Sequence, residues 1–362
     1  MLINVQFLRF AAAMLVVVYH VSAHVRDAGI DPGPLFLLSE AVGFAGVDIF
    51  FVISGFIMAY TTHSAAGIVE AWAFARRRMA RIYSGYWPFF LLALALFFWV
   101  NPDHIQSSDL VRSAILWPTN HLLIAVSWTL IFEMFFYLLF SVLIVFSLGR
   151  RELLLWLLLV LVIAWSVFSQ FGRHAYDPGQ LEYISLAEYY MLSPYLGEFL
   201  AGSILAGMLR TRPGNHSWIW LLAGISLFLL GGLLNNRLFE GSIEQGYYVF
   251  FRVLVFGVPS LMILMGMVRL EQEGIRAPLR FSIRAGGASY AIYLSHTLLL
   301  TASQHLGLNE FAGQLGVTTA QLLYISYALV ILVYSVIHYH LLERPLHRGL
   351  KKLLLVDQAK IN

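Results

Sequence analysis

The stretch Val5-Gln-Phe-Leu-Arg9-Phe-Ala-Ala-Ala-Met-Leu-Val-Val-Val-Tyr-His20-Val21 decides the reading of this chain. It is apolar enough and long enough to cross a bilayer, yet it carries an arginine and a histidine. Eleven residues make about three helical turns with only ~20° of drift, so both side chains share one face, roughly 16 Å apart along the axis. A charge at the centre of a spanning helix costs about 2.5–3.5 kcal/mol on insertion scales, and such residues face a protein interior or an aqueous cavity rather than lipid.

Working outward, the same composition continues through the chain. Of its 362 residues 59% are hydrophobic and 12% charged, well away from the balance of soluble domains. Apolar windows fall at 5–23, 43–61, 86–100, 122–147, 152–169, 188–209, 217–234, 249–268, 287–304 and 320–341. The expected fold is therefore an all-α polytopic membrane protein of about ten transmembrane helices, with one membrane domain over 1–345 and a short basic cytoplasmic tail over 346–362. Val21-Ser22-Ala23 resembles a leader cleavage site. Arg9 breaks the order of a secretory signal, so the first helix reads as a retained span.

An even number of spans puts both termini on one side. Grouping the segments after every second span collects Arg76 to Arg81, Arg150, Arg151, Arg210, Arg212, Arg269, Arg276, Arg280, Arg284 and the basic residues from Arg344 to Lys360. Arg26, Arg112, Arg173, Arg237 and Arg252 fall on the other side, where acidic residues are denser. Positive charge marks the cytoplasmic side, so both termini are expected there, in a multi-pass protein of the cell inner membrane. Cysteine is absent, which excludes disulfides and thiolate chemistry. No G-x-S-x-G elbow surrounds Ser54, and no H-E-x-x-H or Walker sequence occurs, so hydrolase, zincin and ATPase readings drop out. His338, His340 and His347 lack carboxylates at ligand spacing and read as interfacial residues, so no metal is expected. Nothing in the chain suggests a nucleic-acid partner; membrane lipids are its surroundings.

Several polar side chains remain inside apolar segments. Asp48, in the first two turns of the second span, lies at a depth similar to that of His20. A carboxylate there would set the imidazole tautomer for general-base work, or the two would form a structural helix–helix pair. Glu133 and Tyr137 are one turn apart on the fourth span, where the glutamate serves as substrate ligand, proton carrier or satisfied interhelical contact. Glu198 lies beside small residues on the sixth span. Tyr290 and His296 lie on the ninth, where a structural histidine is the favoured reading. Arg76, Arg77, Arg78 and Arg81 are denser than topology requires and suit phosphate, of lipid headgroups or of a soluble ligand. A transporter for a glycan or small substrate would use such buried groups as well.

These residues give the chain its resemblance to the acyltransferase-3 family of membrane acyltransferases, most closely its exopolysaccharide O-acetyltransferase branch. The matching stretches are Gln6-Phe-Leu-Arg9 through His20, Gly46 to Phe56, Arg76 to Tyr83, Ser127 to Glu133, Glu198 to Gly202, Ser289 to His296 and Leu342-Glu-Arg-Pro345. The resemblance implies transfer of an acyl group, most commonly acetyl, from cytoplasmic acyl-CoA to a hydroxyl of a polysaccharide or lipid-linked oligosaccharide. It implies an Arg-x10-His pair at Arg9 and His20, and donor phosphates on Arg76 to Arg81. His20 acts as base or acyl carrier with Asp48 orienting it, Glu133 binds or orients the sugar, and Tyr137, Glu198, Tyr290 and His296 are lesser substrate contacts. Ser84 and Thr297 stand where the family often has proline.

Overall fold

The computed structural model describes residues 2–180, 184–211, 214 and 216–355. Arg212, Lys360 and the last seven residues of the expected tail lie outside the described residues. Every regular element among those described is helical. The principal helices are α1 (Ile3–Asp27), α2 (Gly33–Val42), α3 (Gly46–Thr61), α4 (Ile68–Val100), α5 (Trp128–Ile144), α6 (Leu148–Val167), α7 (Tyr195–Thr211), α8 (Ser217–Leu238), α9 (Val258–Gln272), α10 (Leu279–Gly287), α11 (Ser289–His305), α12 (Val317–His338) and α13 (Arg344–Leu355).

Nine helical segments among the described residues are long and apolar enough to cross a membrane. The remaining expected span forms α11, which has 17 residues. Its sequence is more polar because most of it is buried in protein, including Ser289, Ser295 and His296, so it needs little lipid-compatible surface. Exposed positions on α6 from Leu153 onward are apolar instead. Leu153, Trp156, Leu157, Val160, Leu161 and Ile163 of α6 are all at least half exposed, a patch that only a bilayer or a partner would cover. The arginine run does not lie in a connecting loop. It is part of α4, which runs unbroken through Ser84 and Pro88.

The chain divides into two compact units. The first contains residues 1–12, 45–75 and 132–283, and the second residues 13–44, 76–131 and 284–362. In the first unit a carboxylate caps the start of α1. Glu271 accepts the backbone N–H groups of Ile3 and Asn4, both at 2.8 Å, donors that no helical carbonyl can reach. Asn4 adds bonds to the carbonyls of Met267 and Ile275.

Close backbone approach then joins α3 to α7. A Cβ on Gly55 would lie 1.9 Å from the Phe199 carbonyl oxygen, and one on Gly202 would lie 2.2 Å from that of Val52. The two glycines are thus reciprocal, each receiving the other helix's backbone, which is how spanning helices gain contact where lipid supplies no hydrophobic drive. Between α8 and α9 the same device recurs, with Gly224 against the Ile263 nitrogen and Gly266 against Leu221.

In the second unit the later part of α1 meets α2, α11 and α12 through polar contacts, and α4 meets α11 and α12. Gly43 meets the Leu15 carbonyl and Tyr19. Ser295 and Ser335 share a hydrogen bond of 2.8 Å between α11 and α12, and Phe89 of α4 stacks on His338 of α12 at 4.2 Å.

The glycine pair gives a first test. Gly202→Ala pushes a methyl into backbone rather than into a movable side chain, so α3 and α7 must separate. We expect a loss of at least about 1–3 kcal/mol, seen as a lowered unfolding temperature in detergent. Gly149→Ala, with open space around it, should leave that temperature unchanged.

Candidate active site

His20 lies half-buried on α1 in the second unit. Its Nδ1 is 2.9 Å from the carbonyl oxygen of Val16, one turn earlier on the same helix. A carbonyl only accepts, so Nδ1 carries the proton and donates it, and the lone pair is left on Nε2. The same Nδ1 is 3.2 Å from Nε2 of His296 on α11, and the two rings are 4.8 Å apart. His296 is fully buried. Its neighbour Tyr293 donates to the Val126 carbonyl at 3.0 Å and accepts from Thr129 at 3.1 Å, which fixes the start of α5 against α11.

His296, whose sequence context favours a structural histidine, is the side-chain partner of His20. The partnership expected with Asp48 is replaced. In the first unit Asp48 is fully buried and holds Arg252, whose Nη2 is 2.8 Å from Oδ2 and whose Nε lies 3.1 and 3.2 Å from the two oxygens. A guanidinium offers two parallel donors and a full opposite charge, a stronger partner for a desolvated carboxylate than a neutral imidazole.

Arg252 is the buried partner that sequence reasoning missed, because it falls among the outer basic residues. It is 3% exposed and lies within the eighth apolar segment. The available signal was its setting, Val249-Phe-Phe-Arg-Val-Leu-Val255, with apolar residues on both sides. The Tyr195 ring lies under its guanidinium at 5.4 Å, a cation–π contact.

Glu198 completes this group. It is 1% exposed and interacts with the Asp48 carboxylate and the Arg252 guanidinium. Its Oε1 would be 2.4 Å from a Cβ on Gly257, so the chain approaches this carboxylate closely only because residue 257 is glycine. A π-helical turn, Val253–Gly257, lies between Arg252 and α9. Such turns rotate the following side chains out of the α-helical register and recur at functional sites.

Glu133 belongs to the first unit too. Its Oε1 accepts from Ser54 at 3.1 Å and from Tyr137 at 2.5 Å. Both donors converge on one oxygen and orient the carboxylate. Ser54, silent in the sequence scan, belongs to this arrangement.

The arginine run is divided in use. Arg81 donates to Glu343 at 2.6 Å, and Glu343 is fully buried. Gly85 leaves room for this, since a Cβ there would meet the Tyr290 ring at 2.3 Å and the Glu343 carboxyl at 3.3 Å. Tyr290 donates to the Ile82 carbonyl at 3.2 Å, so it braces α11 on α4. Arg76, Arg77 and Arg78 are half-buried along α4. Arg9 is half-buried and donates to Gln6 at 3.4 Å.

Residues 2–340 match the family model Acyl_transf_3, described as an acyltransferase domain. The chain belongs to the acyltransferase-3 family. It is 29% identical over 332 residues to the exopolysaccharide production protein ExoZ of Rhizobium meliloti, covering 85% of this chain and 90% of that protein. It is 25% identical over 367 residues to the acyltransferase MdmB of Streptomyces mycarofaciens, covering 94% and 90%. No solved structure matches it. This member of the acyltransferase-3 family is an acyl-transferring enzyme of the multi-pass membrane type, and the transporter alternative gives way to catalysis.

In this acyltransferase the Asp48–Arg252 pair should be mutually dependent. Arg252→Met leaves a buried carboxylate unpaired and should cost about 3–5 kcal/mol, read as a fall in unfolding temperature. Adding Asp48→Leu should recover most of the loss. A double variant no better than the single would show that the pair is not the source of the effect.

Proposed function

We propose that this acyltransferase moves an acyl group, acetyl in the simplest case, from cytoplasmic acyl-CoA to a hydroxyl of a cell-surface polysaccharide or its lipid-linked precursor. The observation that carries the reading is the tautomer of His20: with Nδ1–H bonded to Val16, the Nε2 lone pair is the basic atom. Nε2 removes the proton of the acceptor hydroxyl, the oxygen attacks the thioester carbonyl, the C–S bond breaks, and the leaving thiolate takes the proton back from the imidazolium. In the alternative order, the imidazole carries the acyl group before the sugar does.

Arg9 and His20 on one helix are separated by roughly 16 Å, of the order of an extended pantetheine arm. A donor held by its phosphates on the arginine run could then deliver its thioester to His20. Arg76, Arg77 and Arg78 are the phosphate ligands in this reading. Arg81, engaged with Glu343, holds α4 in place. Glu133, with one oxygen fixed by two hydroxyl donors, is suited to accept a sugar hydroxyl on the other, and Tyr137 orients it. Glu198 lies in the Asp48–Arg252 group and supports the fold around that site. A glycan acceptor is favoured by the relative named for exopolysaccharide production. The basic residues collected on one side favour cytoplasmic termini and an inner-membrane location. The chemistry assigned to these residues requires no metal.

Purified protein in nanodiscs, given radiolabelled acetyl-CoA and a lipid-linked oligosaccharide, should transfer label to the glycan. His20→Ala should lower the turnover by at least about 10²-fold while the protein still folds and inserts; turnover near the parent value would remove His20 from the chemistry. Arg77→Ala should raise the KM for acetyl-CoA several-fold with a smaller effect on kcat, because the phosphate contact is made equally in the ground and transition states. An unchanged donor KM would return the arginine run to a topological role.

A further inference from the structure

Helix α13 has an apolar flank that the protein covers only at Leu350, and there only in part. In Arg344-Pro-Leu-His-Arg-Gly-Leu-Lys-Lys-Leu353, at 100° per residue, Leu346, Leu350 and Leu353 fall within an arc of about 60°. Arg344, Arg348, Lys351 and Lys352 fall within an arc of about 100° on the opposite side. No acidic residue lies between Arg344 and Leu355. Leu346 is 44% exposed and Leu353 76%, so the leucine flank is not part of the core of its unit.

Two contacts within that unit set the rotation of the helix. Glu343, the residue just before α13, is held by Arg81 of α4. His347 lies at the boundary of the two arcs, with its Nδ1 3.5 Å from Ser84 of the same helix α4. With that boundary turned toward α4, the leucines point to one side and the cations to the other. The 22 residues of α12 are enough to cross about 30 Å of hydrocarbon, and only the π-helical turn Tyr339–Glu343 separates them from α13, so α13 continues a helix whose first 22 residues already suffice as a span. A helix with leucines on one flank, cations on the other and no anions matches an interface between acyl chains and anionic headgroups.

We infer that α13 is a binding surface for anionic phospholipid at the membrane face where α12 ends, with Leu346, Leu350 and Leu353 in the acyl region and Arg348, Lys351 and Lys352 on the headgroup phosphates. It acts as a lipid sensor on the last helix and is separate from the acyl-transfer residues. A neutral bilayer would accept the leucines without the cations, whereas a protein partner would act independently of lipid charge.

Because the chain has no cysteine, one introduced thiol reports on one position. Leu353→Cys and, as reference, Gly316→Cys, at the opposite end of α12 where nothing lies within 4 Å, are labelled with an environment-sensitive fluorophore in the full-length protein. Each is placed in nanodiscs of phosphatidylcholine alone or with added phosphatidylglycerol. The label at 353 should shift to the blue and resist iodide quenching when phosphatidylglycerol is present, with quenching restored by high salt or by Lys351→Glu/Lys352→Glu. The label at 316 should be quenched to the same degree in both lipids. Equal quenching at 353 in both lipids, or protection that survives charge reversal, would overturn the inference. Neither readout depends on catalysis, so the result stands apart from the fate of the acyl-transfer mechanism.

Discussion

A charge removed from water must be answered by the protein, and in this chain that requirement organises the interior. Asp48 and Arg252 lie 4% exposed or less in their side chains, where an isolated carboxylate or guanidinium would be prohibitive. The pair therefore demands that α3 and the segment leading into α9 meet at one depth and one rotation. Glu198 crowds against Gly257 beside it. The glycine contacts of α3 with α7 supply the backbone proximity that this polar group needs, so packing and electrostatics in the first unit describe one arrangement.

The second unit follows the same rule with different chemistry. Glu343 is answered by Arg81, and His20 by a backbone carbonyl and a second histidine. The pairing of His20 is weaker than an ion pair, and it leaves one ring nitrogen with its lone pair. That difference gives His20 an available basic nitrogen that the ion-paired groups lack.

Three π-helical turns accompany these polar groups. Phe168–Gly172 contains the buried Ser169 and Gln170, Val253–Gly257 follows Arg252, and Tyr339–Glu343 ends on the partner of Arg81. Each widens one turn of an otherwise α-helical segment. The widening rotates what comes after it and lets a polar side chain face inward while the flanking apolar residues still face outward.

Membrane residence, helix positions and the shared face of Arg9 and His20 were legible in the sequence, as were the nearness of Glu133 to Tyr137 and the two flanks of α13. All of these depend on the period of a single helix, which local residue order specifies. The partners of the buried charges were not legible. Asp48 and Arg252 are 204 residues apart, Arg81 and Glu343 are 262, and His20 and His296 are 276. Which helices meet, and at what rotation, is decided by backbone contacts such as Gly55 on Phe199 and by π-turns that leave no periodic trace. Local sequence therefore determined where charges had to be buried, and only tertiary packing decided which opposite charge, carbonyl or ring would receive each of them.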